Sequence, residues 1–241
     1  MVNTEQSDST RPHERPIIFT VESVRGILSG HKTQTRRVIK PQPHPDFLAR
    51  GVIGIVSQWP MQNGVRWFMA DGMSELVTSP WEPGDTLWVK EGFALQSECE
   101  GDEPPFSDGR PVRRCEDPDG PRWLQPHYRA TDPPPDLCCE KARCKCCAEG
   151  EPGPHWRSPI FMPRWASRIT LEITDIRVQK VQDISEEDAR AEGCDYPGHP
   201  ATTTRKGAFS QSWNRINGKT FPWSDNPWCW CISFRRVREA Q

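Results

Sequence analysis

Short stretches in which apolar and polar residues alternate recur along this chain, and they limit its fold more than any other feature. The alternation is clearest over residues 169–173 and 228–234, where every second residue is large and apolar, as in a strand with one buried face. Helical spacing is confined to short segments, and strands and helices do not alternate regularly. These patterns predict an α+β fold, a mixed β-barrel with a few short helices.

A strand, a helix and a second strand are predicted near the N-terminus. Residues 17–19 suit a short strand, and Thr20 suits the N-cap of a helix whose apolar residues follow helical spacing. Gly30 lies where the end of that helix is expected. Residues 33–39 then alternate as in a strand, until three closely spaced prolines end it. The other predicted elements are strands at 51–56, 65–69 and 86–91, a helix from Ser185 to Gly193, and a helix with Phe209, Trp213 and Ile216 on one face.

Composition divides the chain into a barrel and an insertion. Of its 241 residues, 25 are prolines and 17 are glycines. Residues 96–154 are crowded with Pro, Gly, Asp, Glu and Cys, and only residues 123–128 show a regular pattern. We therefore predict a disordered tail at 1–15, a barrel formed by 16–95 and 156–238, and a loop-rich, Cys/Pro-rich insertion at 96–155.

A local basic cluster lies on a chain that is nearly neutral. The formal net charge is -2, yet residues 23–45 contain five Lys or Arg side chains and no Asp or Glu. Lys32, Arg36 and Arg37 follow directly after the predicted helix end. The cluster predicts a site for an anionic ligand such as a phosphate, and the overall charge argues against indiscriminate binding along a nucleic acid.

Several motifs follow one another along the chain in a fixed order. Five of them are Gly30–Arg36, Pro83–Val89, Ile169–Val178, Asp183–Ala189 and the closing Trp228–Val237. In that order they resemble the ASCH domain family, a branch of the PUA-like β-barrels. Four further motifs make the chain most similar to phage and prophage ASCH proteins: Lys32–Val38, Met162–Arg164, Ile216–Lys219 and Asn226–Trp228. The resemblance covers residues 16–95 and 156–238 and implies a cleft beside the barrel that binds RNA or a nucleotide.

The same resemblance implies three catalytic residues. A small bacterial member of the family is similar to an amidohydrolase that removes the acetyl group from N4-acetylcytidine with a lysine, a threonine and a glutamate. Its Gly-Arg-Lys-Thr-Ile-Thr motif matches residues 30–35, which aligns Lys32 with the catalytic lysine and Thr35 with the catalytic threonine. When the acidic start of its short helix is aligned with Ser185, Glu192 matches the catalytic glutamate.

These three residue types suit amide hydrolysis. Thr35 can supply the nucleophilic hydroxyl or position a water, and Lys32 can act as the base or, if charged, stabilise the oxyanion. Glu192 can relay the proton or orient the lysine. The other interpretation is that Lys32 is a solvated charge, Thr35 an ordinary strand residue and Glu192 a surface carboxylate of an acidic helix.

Further residues are predicted to contact the ligand. Thr33, Arg36 and Arg37 belong to the basic turn, and strand alternation predicts that only one of the two arginines faces the cleft. A guanidinium can bind phosphate through two parallel hydrogen bonds. Trp88 and Glu91, on or near the predicted strand at 86–91, are additional candidates, although Trp88 also suits a core position.

Ten cysteines in a chain with a polar N-terminus predict free thiols or a metal site rather than disulfides. Five of them lie within ten residues, and four thiolates can hold a structural zinc ion, although the spacing is not that of a zinc ribbon. The alternatives to a zinc site are unliganded or redox-active thiols. The predicted catalysis by Lys32, Thr35 and Glu192 requires no cofactor. The five are Cys138, Cys139, Cys144, Cys146 and Cys147. Cys229 and Cys231 are predicted to pack inside the last strand.

Three function classes follow from these observations. The first is a hydrolase acting on an N4-acylated cytidine or similar modified base. The second is a non-catalytic module that binds RNA or a modified nucleoside. The third is a metal-independent ribonuclease, because we find no cluster of carboxylates that would suit a metal-dependent one. The absence of a long apolar run predicts a cytoplasmic protein without membrane contact.

Overall fold

The computed structural model describes residues 13–42, 64–68, 74–98, 109–117, 120–133, 156–195 and 204–237. These residues form a five-stranded sheet, a three-stranded sheet, a hairpin and three α-helices, which confirms the predicted α+β class. The strands are β1 Glu14–Ile18, β2 Gln34–Val38, β3 Gly64–Phe68, β4 Ser74–Thr78, β5 Thr86–Lys90, β6 Phe93–Glu98, β7 Arg113–Asp117, β8 Gly120–Tyr128, β9 Thr170–Lys180 and β10 Trp228–Val237. The helices are α1 Val21–Leu28, α2 Glu186–Ala191 and α3 Arg205–Asn217.

The five-stranded sheet has the strand order β1-β5-β9-β10-β2. The β1–β5 pair is parallel, and the other pairs are antiparallel. β1 and β2 are its two edges, and among the described residues no backbone ladder joins them into a closed barrel. The first strand begins at Glu14, before residue 16, where the barrel was predicted to start.

Within the sheet, residues 229–232 of β10 are buried on both faces. Trp230, Ile232 and Phe234 belong to one apolar cluster, which also contains residues of α1 and β9. Cys229 lies in a second cluster on the opposite face, where α2 and α3 pack. Cys229 and Cys231 are both buried, as the alternation predicted. Side chains of β10 therefore alternate between the two faces, with bulky apolar residues on one face and small thiols on the other.

The helices begin and end near the residues that the sequence indicated. The Thr20 hydroxyl accepts a hydrogen bond from the Ser23 amide at the start of α1, and Ser185 does the same for Asp188 at the start of α2. In α3 Phe209 and Trp213 are buried, but Ile216 is 58 % exposed, so the predicted three-residue apolar face is shorter. No helix within the described ranges is long and apolar enough to cross a membrane.

The insertion differs from the prediction of a loop-rich segment. β6, β8 and β7 form an antiparallel sheet in that order, with Leu95 opposite Pro126 and Arg113 opposite Leu124. Prolines and arginines interrupt the alternation that marks other strands, so only residues 123–128 were recognised. The predicted strand at 65–69 is β3, which pairs with β4. The predicted strand at 51–56 lies outside the described residues.

Replacing Ile232 with Ala tests the core of the five-stranded sheet. Its side chain is fully buried in the central strand β10, and removing it should lower the free energy of unfolding by about 2–5 kcal/mol, because a cavity is left. The matched control is Ile160→Ala, where the side chain is 59 % exposed and the loss should be below about 0.5 kcal/mol. Urea unfolding measures both, and equal losses would contradict this core.

Candidate functional site

The turn after α1 places Lys32 beside the end of α2. Gly30 has a left-handed φ of 79°, which reverses the chain after the helix. The Lys32 amide then donates to the Gly26 carbonyl at 3.0 Å, and Lys32 and Glu192 form an isolated antiparallel bridge. The Thr33 amide donates to the Ala191 carbonyl at 2.8 Å. Residues 160 positions apart are therefore fixed by backbone bonds before their side chains interact.

Lys32 and Glu192 form a buried ion pair. The Lys32 ammonium donates to the Glu192 carboxylate at 2.8 Å and to the Glu192 backbone carbonyl at 2.8 Å. Only 6 % of the Lys32 side chain and 5 % of the Glu192 side chain are exposed. Both acceptors belong to one residue, so the ammonium is held against the C-terminal end of α2, where the helix dipole also favours a cation.

Two glycines hold the aliphatic part of Lys32 in place. A Cβ at Gly26 would lie 3.2 Å from the Lys32 Cβ, and one at Gly193 would lie 3.3 Å from it. Both distances are shorter than ordinary carbon contacts, so a Cβ at either position would require the lysine stem to shift by a few tenths of an ångström. Gly193 also has a φ of 89°, which L residues rarely adopt. The lysine stem is thus packed between α1 and the turn after α2.

A second cation and a second carboxylate extend the pair into a network. Arg36 donates to Glu192 at 3.2 Å and to Asp188 at 3.0 Å, and Asp188 also accepts from Arg177 at 3.0 Å. Asp188 and Glu192 are four residues apart, so they face the same side of α2 and its end. The side chain of Arg36 is completely buried. Each carboxylate therefore bridges two cations.

The network changes the pKa of its members. Burial alone would lower the pKa of Arg36, but Cys231, Glu192 and Asp188 more than offset this, and the pKa is raised. Burial opposes ionisation of Asp188, but the hydrogen bond from Arg177 and the charge of Arg36 outweigh it and lower the pKa. Both groups are charged at neutral pH.

These side chains line a pocket of about 590 Å³ between the two edges of the five-stranded sheet. Ile18 and Phe19 come from the end of β1 and the residue after it, and the opposite wall comes from β2 and α3. The charged part of the lining consists of four basic side chains and one carboxylate. The charged residues are Lys32, Arg36, Arg37, Lys40 and Glu192, and the aromatic ones are Phe19, Phe209, Trp213 and Phe221.

Thr35 and both arginines of β2 line this pocket. Thr35 is 5 % exposed and lies opposite Ile232 of β10. The prediction that only one arginine faces the cleft was wrong. Arg36 points toward Asp188 and Glu192, whereas Arg37 donates to the Ile18 carbonyl at 2.7 Å and packs 5.1 Å over the Phe19 ring. Because β2 is an edge strand, both of its faces border the pocket.

Three predicted ligand residues lie elsewhere. Thr33 is exposed, and its carbonyl accepts from the Phe234 amide at 2.9 Å. Trp88 is half-buried outside the main apolar clusters, with Lys90 5.3 Å over its ring. Glu91 is 2 % exposed and binds Arg168 through both carboxylate oxygens at 3.0 and 3.1 Å, while burial raises its pKa. None of the three lines the pocket of Lys32.

The sequence analysis missed Asp188 and the aromatic wall of α3. The four-residue spacing of Asp188 and Glu192 was a usable indication, since it places both carboxylates on one side of a helix. In the sequence, the aromatic residues of α3 were recognised only as an apolar helix face that packs against the core. Phe209 serves both purposes, because it belongs to a core cluster and lies 5.7 Å from the Arg36 guanidinium.

The cysteine cluster at 138–147 lies outside the described residues. Within the described part of the chain, no three His, Cys, Asp or Glu side chains are grouped so that they could hold a metal ion. Cys194 also lines the pocket, and burial raises the pKa of its thiol to about 12. Cys194 is therefore protonated at neutral pH and is a poor nucleophile.

Comparisons with models of known protein families, with curated proteins and with solved structures find no match for this chain.

Replacing Gly193 with Ala tests how Lys32 is held. The substitution should lower the free energy of unfolding by more than the roughly 1–2 kcal/mol that a left-handed φ costs, since the new Cβ also meets Lys32. Gly30→Ala is the matched control, because its φ is similar and a Cβ there meets nothing within 4 Å. Thermal or urea unfolding compares the two, and an equal loss would contradict the proposed contact.

Asp188→Asn tests the network through pH. The pKa of Asp188 is lowered in the folded state, so the carboxylate stabilises the fold fully above the ordinary aspartate value of about 3.9 and loses this effect as pH falls through the folded pKa. The stability difference between wild type and variant should therefore be larger at pH 7 than at pH 3. Urea unfolding at several pH values measures it, and a pH-independent difference would contradict the network.

Proposed function

We propose that this chain is an ASCH-type protein of PUA-like fold, whose pocket binds a modified nucleoside or RNA and hydrolyses the amide of an N4-acylated cytidine or a similar base. The carrying observation is the 2.8 Å contact between the Lys32 ammonium and the Glu192 carboxylate in a pocket that Thr35 also lines. The three residues that the family resemblance implies for this reaction thus border one space, although Glu192 lies 160 positions from Lys32.

The aromatic side chains of the pocket support a flat, partly polar ligand. Four aromatic rings line a space of about 590 Å³, which is within the usual size of small-molecule sites. An aromatic ring stacks on any nucleobase with about 1–3 kcal/mol. The basic residues then favour a ligand with anionic or strongly polar groups.

The hydrogen bonds of Lys32 support a role as a charged donor. An ammonium has three N–H donors, and Glu192 accepts two of them through its carbonyl and its carboxylate. The third is left for a substrate oxygen at the pocket. A fixed donor of this kind stabilises the oxyanion that forms when an acyl carbonyl is attacked.

The proposed reaction follows from these positions. Water positioned by Thr35, or the Thr35 hydroxyl itself, adds to the acyl carbon, and Lys32 stabilises the oxyanion. The proton of the nucleophile passes to Glu192 and then to the departing exocyclic nitrogen as the C–N bond breaks. The products are the free base amine and a carboxylic acid. If Thr35 is the nucleophile, a water then hydrolyses its acyl ester.

A binding module without turnover is the second candidate, because the basic and aromatic lining alone is sufficient for binding. A ribonuclease would use the same Lys32 and Thr35 with a ribose 2′-hydroxyl as nucleophile. Product analysis distinguishes the three classes.

Mass spectrometry of products is the test. Wild type should release cytidine from N4-acetylcytidine or from another N4-acylated cytosine. Lys32→Ala, Thr35→Val and Glu192→Gln should each lower the rate by at least roughly 100-fold, because each removes a donor or proton carrier. Thr35→Val keeps the side-chain volume, so its loss reports the hydroxyl rather than packing.

Lys219→Ala is the matched control, since this lysine is exposed and outside the pocket. Melting temperatures of all variants separate loss of chemistry from loss of fold. If the protein shortens single-stranded RNA and leaves the acyl groups intact, its activity is that of a ribonuclease and not of an amidohydrolase. Binding without any product would leave the binding module.

A further inference from the structure

Arg37 differs from Lys32 and Arg36 because, among the described residues, no carboxylate bonds to it. Lys32 and Arg36 share Glu192, and Arg36 also binds Asp188. The Arg37 side chain donates only to the Ile18 backbone carbonyl, and its Nε is buried without a hydrogen-bond partner among the described residues. Burial lowers the pKa of its guanidinium, and the attraction of Glu192 offsets this only in part. An anion that binds beside a desolvated cation of this kind stabilises its charge.

Other groups at the same pocket suit that anion. Lys40 follows β2, lines the pocket and is exposed, with its ammonium 5.6 Å over the Phe221 ring. Thr20 and Ser23 line the pocket at the N-terminal end of α1, where hydroxyls and the helix dipole favour a negative charge. Glu22 of the same turn lies 3.9 Å from Arg215 and does not line the pocket.

The position of Arg37 separates this region from the Lys32–Glu192 pair. Successive residues of β2 point to opposite faces, so Arg36 reaches α2 while Arg37 reaches across to the edge of β1. The Nε of each arginine is buried without a hydrogen-bond partner among the described residues, but Arg36 is paired with carboxylates and Arg37 is not. The pocket therefore has a neutralised end at Glu192 and a cationic end at Arg37.

We infer that Arg37 and Lys40 form a phosphate subsite, so that the ligand of this pocket is a nucleotide or a phosphate-linked residue of a polynucleotide rather than a free nucleoside. The identity of the base rests on the proposed function, whereas the subsite does not require turnover. A phosphate oxygen accepts from the Arg37 guanidinium and from the Lys40 ammonium, while Nη2 of Arg37 remains bonded to Ile18. Arginine and lysine are the side chains that bind phosphate most often.

Calorimetric titration of wild type with cytidine, 5′-CMP, 3′-CMP and the dinucleotide CpC tests the subsite. At least one phosphate-bearing ligand should bind roughly tenfold or more tightly than cytidine, the effect of one charge-assisted hydrogen bond. In Arg37→Gln the ratio of these affinities should fall to about 1. Arg236→Gln, an exposed arginine of β10 outside the pocket, should keep the wild-type ratio. Preference for a mononucleotide or for CpC identifies the source of the phosphate.

Inorganic phosphate separates this inference from the proposed function. At matched ionic strength, phosphate should raise the melting temperature of wild type above its value in chloride, and Arg37→Gln should lose this rise. If phosphate raises the melting temperature in an Arg37-dependent way but no cytosine ligand binds, the result supports the subsite and contradicts the choice of cytosine as the base. Equal affinity for cytidine and the nucleotides, or a phosphate effect that survives in Arg37→Gln, overturns the subsite even if acylated cytidine is hydrolysed.

Discussion

The buried ion pair between Lys32 and Glu192 is the interaction on which the site depends. It joins the turn after α1 to the end of α2, and Arg36 and Asp188 extend it to β2 and β9. Removing one partner of a buried pair leaves an uncompensated charge, which commonly costs several kcal/mol. Replacing both partners with apolar residues often costs little. A buried ion pair is therefore weak evidence of a purely stabilising role, which favours a functional reason for its presence.

The open edge of the sheet explains why the pocket lies where it does. β1 and β2 are the edges, and the Arg37 side chain donates across the gap to the Ile18 carbonyl. An exposed sheet edge carries unpaired backbone groups, which proteins usually cover or pair. Here a side chain and a pocket occupy the gap. Aromatic residues of α3 cover one side, so a ligand would be enclosed by two edges and one helix.

Local patterns predicted more of this structure than long-range contacts did. Thr20, Gly30 and Ser185 marked helix ends because capping depends on a few neighbouring residues. The alternation in β9 and β10 was equally clear. The insertion sheet was missed because its prolines and arginines obscure the two-residue period. The pairing of Lys32 with Glu192 was available only through the family resemblance, since no local rule connects residues 160 positions apart.

The two neighbouring arginines show how a small difference in environment assigns different roles. Arg36 and Arg37 are adjacent and identical in chemistry, and the sequence could not distinguish them. Burial alone would lower the pKa of both, but Cys231, Glu192 and Asp188 more than offset this for the first, whereas Glu192 offsets it only in part for the second. Arg36 therefore orients Glu192 and is already paired with two carboxylates, whereas Arg37 is the cation proposed to bind phosphate. An edge strand makes this division possible, because both faces of β2 border one pocket and each face carries a different electrostatic environment.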